Sequence, residues 1–189
     1  MLRELLPLGD PRLYEISEEI TEADREQLAG WVLHDTLMEY RRTYGAERAV
    51  AAPQIGVKKR LLYLCTDKPH VSVNPALTFP DDETYVLMDD CMSFPGLMVK
   101  VERHKRAEIR YLDEQFQPRV MRLEGDLSEL LQHEYDHLDG ILATMRAVDN
   151  QSLFLGQMKR AFPCPRVDPR RGIPPSGPKN QTITAQKSE

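Results

Sequence analysis

In the stretch "TEADREQLAGWVLHDTLMEYRRTY", residues 21–44, apolar side chains recur at steps of three and four. Leu28, Ala29, Val32, Leu33, Leu37 and Tyr40 share one face at that spacing. Thr21 stands at the cap position and Asp24 at the capping-box position. The pattern predicts one helix over 21–44 whose apolar face covers a sheet. The middle of the chain has a shorter period. "RLLYL" (60–64), "VSVN" (71–74), "TYVLM" (84–88) and "LMVKVER" (97–103) are short apolar or alternating runs and predict strands. "AEIRYLD" and "RVMRL" flank "EQFQP" and predict a hairpin whose turn lacks glycine. A second helix is predicted from Asp126, paired with Glu129 as a cap, to Gly140, a left-handed terminator. A third is predicted over "SLFLGQMKRAF", 152–162.

From Pro163 the character changes. Residues 163–189 hold six of the fourteen prolines and few large apolar side chains, which predicts an extended or disordered tail. The tail carries +3, five Lys/Arg against two acids, so the body carries −8 of the net −5. A solvated tail is the expectation, with RNA or an acidic partner the alternative. The net negative charge argues against a mainly nucleic-acid-binding surface, and DNA is not an expected partner. No apolar run approaches the ~20 residues of a membrane span. The N-terminus "MLRELLPLGDPRLYE" lacks the apolar core of a secretion signal. A cytoplasmic location is therefore expected. Cys65, Cys91 and Cys164 form no regular framework, so each is expected to be a buried apolar residue, a metal ligand or a catalytic thiol.

The chemistry concentrates in "LQHEYDHLDG", residues 131–140, which contains an H-E-x-x-H pattern. One helical turn brings i and i+4 to the same face, so His133, Glu134 and His137 point the same way. Leu130 and Ile141 extend that face, which turns it toward the core. Two histidines and a carboxylate there need partners, and a metal supplies one. The bland reading, a helix with two hydrogen-bonded core histidines, would win for a single histidine. A catalytic metal needs a third protein ligand. No histidine follows His137, and the only glutamate after Glu134 is Glu189 in the tail. The ligand must come from upstream: His34, His70, His104, a cysteine or a carboxylate. Cys91 stands out because it directly follows the apolar run "TYVLM" and precedes a turn with Pro95 and Gly96.

"VAAPQIGV" (50–57), "CMSFPGLMVKVER" (91–103) and "LQHEYDHLDGIL" (131–142), in that order and spacing, resemble the peptide deformylases, as does the opening "LLPLGDPRL". The resemblance implies an α+β fold in which short antiparallel sheets pack around a central metal-binding helix bearing H-E-x-x-H, with an N-terminal covering helix. It implies one catalytic domain over 1–162, followed by the 163–189 tail. It implies that Cys91, His133 and His137 hold Fe²⁺, or alternatively Zn²⁺ or Ni²⁺, and that Glu134 is the general base. Gln54 and the backbone N–H of Met92 would stabilise the oxyanion. The implied substrate is an N-formylmethionyl peptide, taken as an added strand, and the ribosome is a candidate partner.

The framing residues depart from the family pattern. The first motif usually reads G-x-G-[LI]-A-A-x-Q-x-G; here Glu47 and Ala49 stand where the leading glycines do. If the second glycine gives the substrate room, Ala49 adds a methyl there. If either needs a positive φ, Glu47 or Ala49 is strained. The second motif usually reads E-G-C-L-S; here it is Asp89-Asp90-Cys91-Met92-Ser93. Asp90 places a carboxylate beside the thiolate. Asp89 is one methylene short, so any pairing it makes, with Arg103 the candidate, has to be rebuilt. The alternatives to a standard deformylase are a related amidase with another N-acyl substrate and a catalytically weak metal-binding homologue. Phosphate-loop, dinucleotide and serine-hydrolase signatures are absent.

Overall fold

The computed structural model describes residues 4–31, 33–44, 47–66 and 68–156. Helix α1 (Leu33–Tyr44) leads into β1 (Ala49–Ala51), β2 (Leu61–Cys65), β3 (Pro69–Thr78), β4 (Thr84–Asp90), β5 (Leu97–His104), β6 (Arg106–Leu112) and β7 (Pro118–Glu124). Helix α2 (Asp126–Leu138) and a short β8 (Leu153–Leu155) follow. The strands form two antiparallel sheets, one ordered β1-β2-β3-β6-β7 and the other β4-β5-β8. The fold is α+β.

Strand β2 explains why its sequence reads as an unbroken apolar run. All five residues are buried, because both faces of the larger sheet are covered. Leu61 and Tyr63 pack with Leu33, Leu37 and Tyr40 of α1. Leu62 packs with Ala51, Ile109 and Leu123 of the sheet and with Leu131 and Leu138 of α2. Leu64 meets Ala49 and Leu130. The period of two thus sends alternate residues to alternate helices. The smaller sheet has its own core, where Val99 and Val101 pack with Cys91, Phe94 and Ala143.

Three elements differ from expectation. The 21–44 helix is split: Glu22–Trp31 is a 3-10 helix and only Leu33–Tyr44 is α-helical. The Asp24 N–H donates to Thr21 O at 3.0 Å, a tight i to i+3 closure, while the Asp24 carboxylate accepts from the Thr21 N–H and Lys59. Gly30 adds a low helix propensity near the junction. At the start of α2, Asp126 and Glu129 do not make a capping pair. Gly125 is the cap, at φ 57 and ψ −128, a conformation closed to other residues, and its carbonyl accepts the Glu129 N–H at 3.0 Å. Of the expected 152–162 helix, Leu153–Leu155 is instead a strand paired with Leu97–Val99 of β5. The free edge of β5 decides that segment over its local pattern; residues 157–162 lie outside the described residues, as does the 163–189 tail.

The glycine-free turn of the β6–β7 hairpin is organised by Asp113. Its carboxylate accepts the Gln115 and Gln117 N–H groups at 2.9 Å each, and Phe116 takes the left-handed position at φ 59. Among the described residues no helix is long and apolar enough to cross a membrane.

Candidate metal centre and active site

Helix α2 presents His133 and His137 one turn apart, with their Nε2 atoms 3.1 Å from each other. Cys91 directly follows β4, and its Sγ lies 3.3 Å from His137 Nε2. One ligand atom from each of the three comes within 4.8 Å of the others. All three residues are buried. Among the described residues they are the one such group of potential ligands. The other histidines weighed as third ligand lie elsewhere: His34 against Tyr63, His70 beside Tyr111, and His104 stacked on Phe79. Cys65 belongs to the core beneath α1, and Cys164 lies outside the described residues.

The group is held from behind by a chain of charges. His133 Nδ1 is 2.9 Å from Asp89 Oδ1, off the line of a good hydrogen bond. The other Asp89 oxygen accepts from Arg103 at 2.9 Å. Arg103 also donates to Asp136, which pairs in turn with Arg146 at 2.8 Å. The shorter Asp89 therefore reaches Arg103. Asp89 and Arg103 are 2% and 4% exposed, so neither charge would be tolerated alone. Nothing in the sequence singles out Arg146, which is distant from every motif but the helix.

Without a cation the electrostatics of the group are unbalanced. Burial pushes the Cys91 thiol up. Burial, with His133 beside it, pushes His137 well below the usual histidine range. His133 is held well above that range, because Asp89 and Cys91 outweigh its burial. Glu134, 2% exposed with Oε2 unpartnered, is raised to about 8, chiefly by burial. A divalent ion would stabilise the thiolate and relieve the contact between the two Nε2 atoms. It would also favour the charged form of Glu134. The donor set therefore fits a metal: one soft thiolate and two imidazoles, with a buried carboxylate on the residue next to a ligand.

Gln54 reaches the same place from the larger sheet. It lies in a 3-10 turn (Ala52–Ile55) directly after β1 and is 1% exposed. Its Oε1 accepts the Ala51 N–H at 2.8 Å, which turns its amide nitrogen to 3.4 Å from Cys91 Sγ. The Ser93 N–H also points at that sulfur, at 3.4 Å. The Met92 side chain is anchored in the core beneath α1, and its N–H makes no hydrogen bond among the described residues.

Comparison with known proteins agrees with this geometry. The family model for polypeptide deformylase matches residues 2–152. The chain belongs to the polypeptide deformylase family. A peptide deformylase from Brachyspira hyodysenteriae is 38% identical over 152 residues, covering 75% of this chain and 78% of that protein. The peptide deformylase of Thermotoga maritima superposes with a TM-score of 0.70 at 30% identity, over 79% of this chain and 99% of that one. A deformylase from Synechococcus elongatus, solved in complex with actinonin, gives 0.72 at 27% identity, over 79% and 81%.

Against the deformylase pattern, the two lost glycines behave differently. Ala49 has an ordinary backbone, and its side chain is fully buried with Leu64 and Leu130. Its methyl enters the core, not a substrate path, because strand parity points it there. Glu47 has a φ of 85, the left-handed region that glycine takes freely. Arg41 Nε donates to its carbonyl at 3.0 Å and helps hold it there. The Glu47 carboxyl is raised to about 7, by desolvation first and the Asp90 carboxylate second.

Proposed function

We propose that this protein removes the formyl group from N-formylmethionyl peptides of newly made proteins, releasing formate and a free N-terminal methionine. The observation that carries the proposal is the meeting of Cys91, His133 and His137 beside the buried, unpartnered carboxylate of Glu134. Cys91, His133 and His137 would hold one divalent ion; Fe²⁺ is our proposal, and Zn²⁺ or Ni²⁺ suits the same donors. When bound, the metal supplies Lewis-acid chemistry and makes water acidic enough to attack at neutral pH.

The remaining work belongs to the chain. Glu134 accepts the proton of the attacking water and passes it to the leaving amine as the formyl C–N bond breaks. The Gln54 amide and the Met92 N–H donate to the carbonyl oxygen as it gains charge, each contributing ~2.7–4 kcal/mol by analogy with other oxyanion donors. Asp89 and Arg103 hold the His133 ring in place. Strands β1 and β4 are the outer strands of their sheets and run into Gln54 and Cys91 respectively. An extended peptide can add to such an edge and bring its formyl end to the metal group.

On this reading residues 1–162 form the catalytic domain, and the 163–189 segment lies outside the described residues. The substrate emerges from the ribosome, so we place the enzyme in the cytoplasm with the ribosome as a candidate partner. The test is release of formate from formyl-Met-Ala-Ser and of acetate from acetyl-Met-Ala-Ser by protein loaded anaerobically with Fe²⁺. Turnover of the formyl peptide alone is expected. Turnover of the acetyl peptide alone would replace this reading by an amidase of different acyl preference.

A further inference from the structure

The opening "LLPLGDPRL" belongs to the resemblance, yet no step of the proposed reaction uses it. In the fold this stretch and the residues just after it touch each of the three segments that carry the site. The Leu6 N–H donates to the Gln54 carbonyl at 2.8 Å, and the Leu8 N–H donates to the Ser93 carbonyl at 2.8 Å. Further on, Tyr14 lies against the end of α2, its carbonyl oxygen 2.5 Å from where a Cβ on Gly140 would stand. The Ser17 N–H donates to the Leu138 carbonyl there at 2.8 Å. The Leu6 side chain is buried with Leu13 and with Leu142, which follows α2.

This strap is stiff where it crosses the site. The Pro7 ring fixes φ between the two donors. The Asp10 N–H closes a turn on the Pro7 carbonyl at 3.0 Å, with Gly9 at φ 97 in the third position. A turn of that type favours proline in its second position, which Leu8 holds. Gln54 follows a strand of the larger sheet, and Cys91 follows a strand of the smaller one. At the site they share the 3.4 Å contact of the Gln54 amide with Cys91 Sγ, and the packing of Met92 in one core with Ala52 and Ile55. Apolar packing has no direction and lets one segment slide on another. Hydrogen bonds at 2.8 Å resist that slide. Oxyanion donors act within roughly 2.7–3.1 Å of the developing charge, so a small slide is costly.

We infer that Leu8, together with Leu6, is a positioning residue: its N–H holds the turn after Cys91 at a set distance from Gln54, and so aligns the Gln54 amide with the Met92 N–H. The inference rests on the proposed deformylase reaction. Ser93 is the point of leverage, because its own N–H points at Cys91 Sγ while its carbonyl accepts the Leu8 N–H.

Leu8→Pro tests this on the full-length, metal-loaded protein. The turn accepts proline there, and the Leu8 side chain is 41% exposed, so little else changes. The N–H is lost, and a ring methylene occupies its line to Ser93. Leu8→Ala keeps the N–H and serves as the control. Formyl-Met-Ala-Ser is the substrate, at a temperature below the melting range of each protein. Leu8→Pro is expected to keep about one ion per chain, to lose kcat roughly tenfold and to hold KM within about twofold, while Leu8→Ala matches wild type. A kcat per bound ion within about twofold of wild type overturns the inference. So does a loss carried by KM or by missing metal, or an equal loss in Leu8→Ala. Should Leu8→Pro not fold, Gly9→Ala decides. Its Cβ meets nothing within 4 Å but opposes φ 97, so it loosens the turn alone. A fall in kcat of about threefold then supports the inference, and an unchanged kcat overturns it. If wild type releases no formate, cobalt-loaded protein decides, because the thiolate-to-cobalt absorption band responds to hydrogen bonds at the sulfur. A band that shifts in Leu8→Pro and not in Leu8→Ala supports the role of the strap and sinks the proposed reaction. An unshifted band ends both.

Discussion

His133 and Glu47 lie within each other's electrostatic reach, yet they are held in opposite ways. His133 is buried, sits on a regular helix, and is backed by Asp89, Arg103, Asp136 and Arg146 in an unbroken series of opposite charges. Glu47 is half-buried, has a strained backbone, and lacks an ion-pair partner among the described residues. The first region keeps the residue types that the chemistry requires. The second replaces glycines with carboxylates. The contrast teaches that the metal group tolerates little change because each atom has one task, whereas the segment leading into β1 can acquire charge and backbone strain.

The metal group should break most severely. Cys91→Ser replaces a thiolate by a neutral hydroxyl, a far poorer ligand. Bound metal should fall from about one ion per chain to roughly a tenth or less, and formate release should fall with it. Elemental analysis reads this directly, and full occupancy in the variant would move the ligand role elsewhere. Cys65→Ser, whose thiol sits in the α1 core, should retain the metal.

Next comes the base. Glu134→Gln keeps the shape and removes the proton acceptor, so metal content should be unchanged and kcat should drop by about 10²–10⁴-fold. Activity within a few-fold of wild type would end the role assigned to Glu134. The charge series behind His133 ranks third. Asp89→Asn leaves Arg103 with one of its two carboxylates, and metal affinity should weaken by roughly 10–100-fold. Arg103→Met removes the shared partner of two buried acids and should cost about 3–5 kcal/mol in unfolding free energy. A melt of that variant overlapping wild type would show that the series is ornamental.

The same contrast explains what could be read before the fold was known. A helix with His133, Glu134 and His137 on one face is a local statement, so that part of the group was legible from spacing, whereas Cys91 stood out among several candidates and was assigned through the family resemblance. Strand β2 was legible because burial on both faces leaves an apolar run. By contrast, periodicity cannot separate a three-residue strand such as Leu153–Leu155 from the start of a helix; only the free edge of β5 decides. The 3-10 geometry of Glu22–Trp31 is likewise invisible to a pattern of apolar steps. The direction of the Ala49 methyl depends on strand parity relative to a partner 15 residues later, Leu64. The left-handed backbone of Glu47 could be suspected from a missing glycine, but its burial beside Asp90 depends on two sheets meeting. Arg146 reaches Asp136 from a separate turn, a contact that no local signal announces.

The smallest effect tests Glu47 itself, in metal-free protein. Burial first, and the Asp90 carboxylate second, push the Glu47 carboxyl up to about 7 in the fold, above the ordinary glutamate value of 4.5. The folded state therefore binds the Glu47 proton more tightly than the unfolded state does. The stability this provides is fully present below pH 4.5 and is lost as pH rises through about 7. Glu47 is partly exposed, so solvent screening reduces the loss to about 1–2 kcal/mol. Glu47→Gln removes the titration but keeps the strained backbone. It should match wild type near pH 4 and exceed it by that amount near pH 8.5. Glu47→Gly removes both charge and strain. Its relief from the left-handed penalty, about 1–2 kcal/mol, is offset by the larger entropy of an unfolded glycine. A small gain at all pH values over Glu47→Gln is expected. Chemical denaturation in a chelator from pH 4 to 8.5 measures all three proteins. Wild type and Glu47→Gln with parallel profiles would mean that Glu47 stays ionised throughout and is already balanced, which would place it under the same rule as the charge series behind His133.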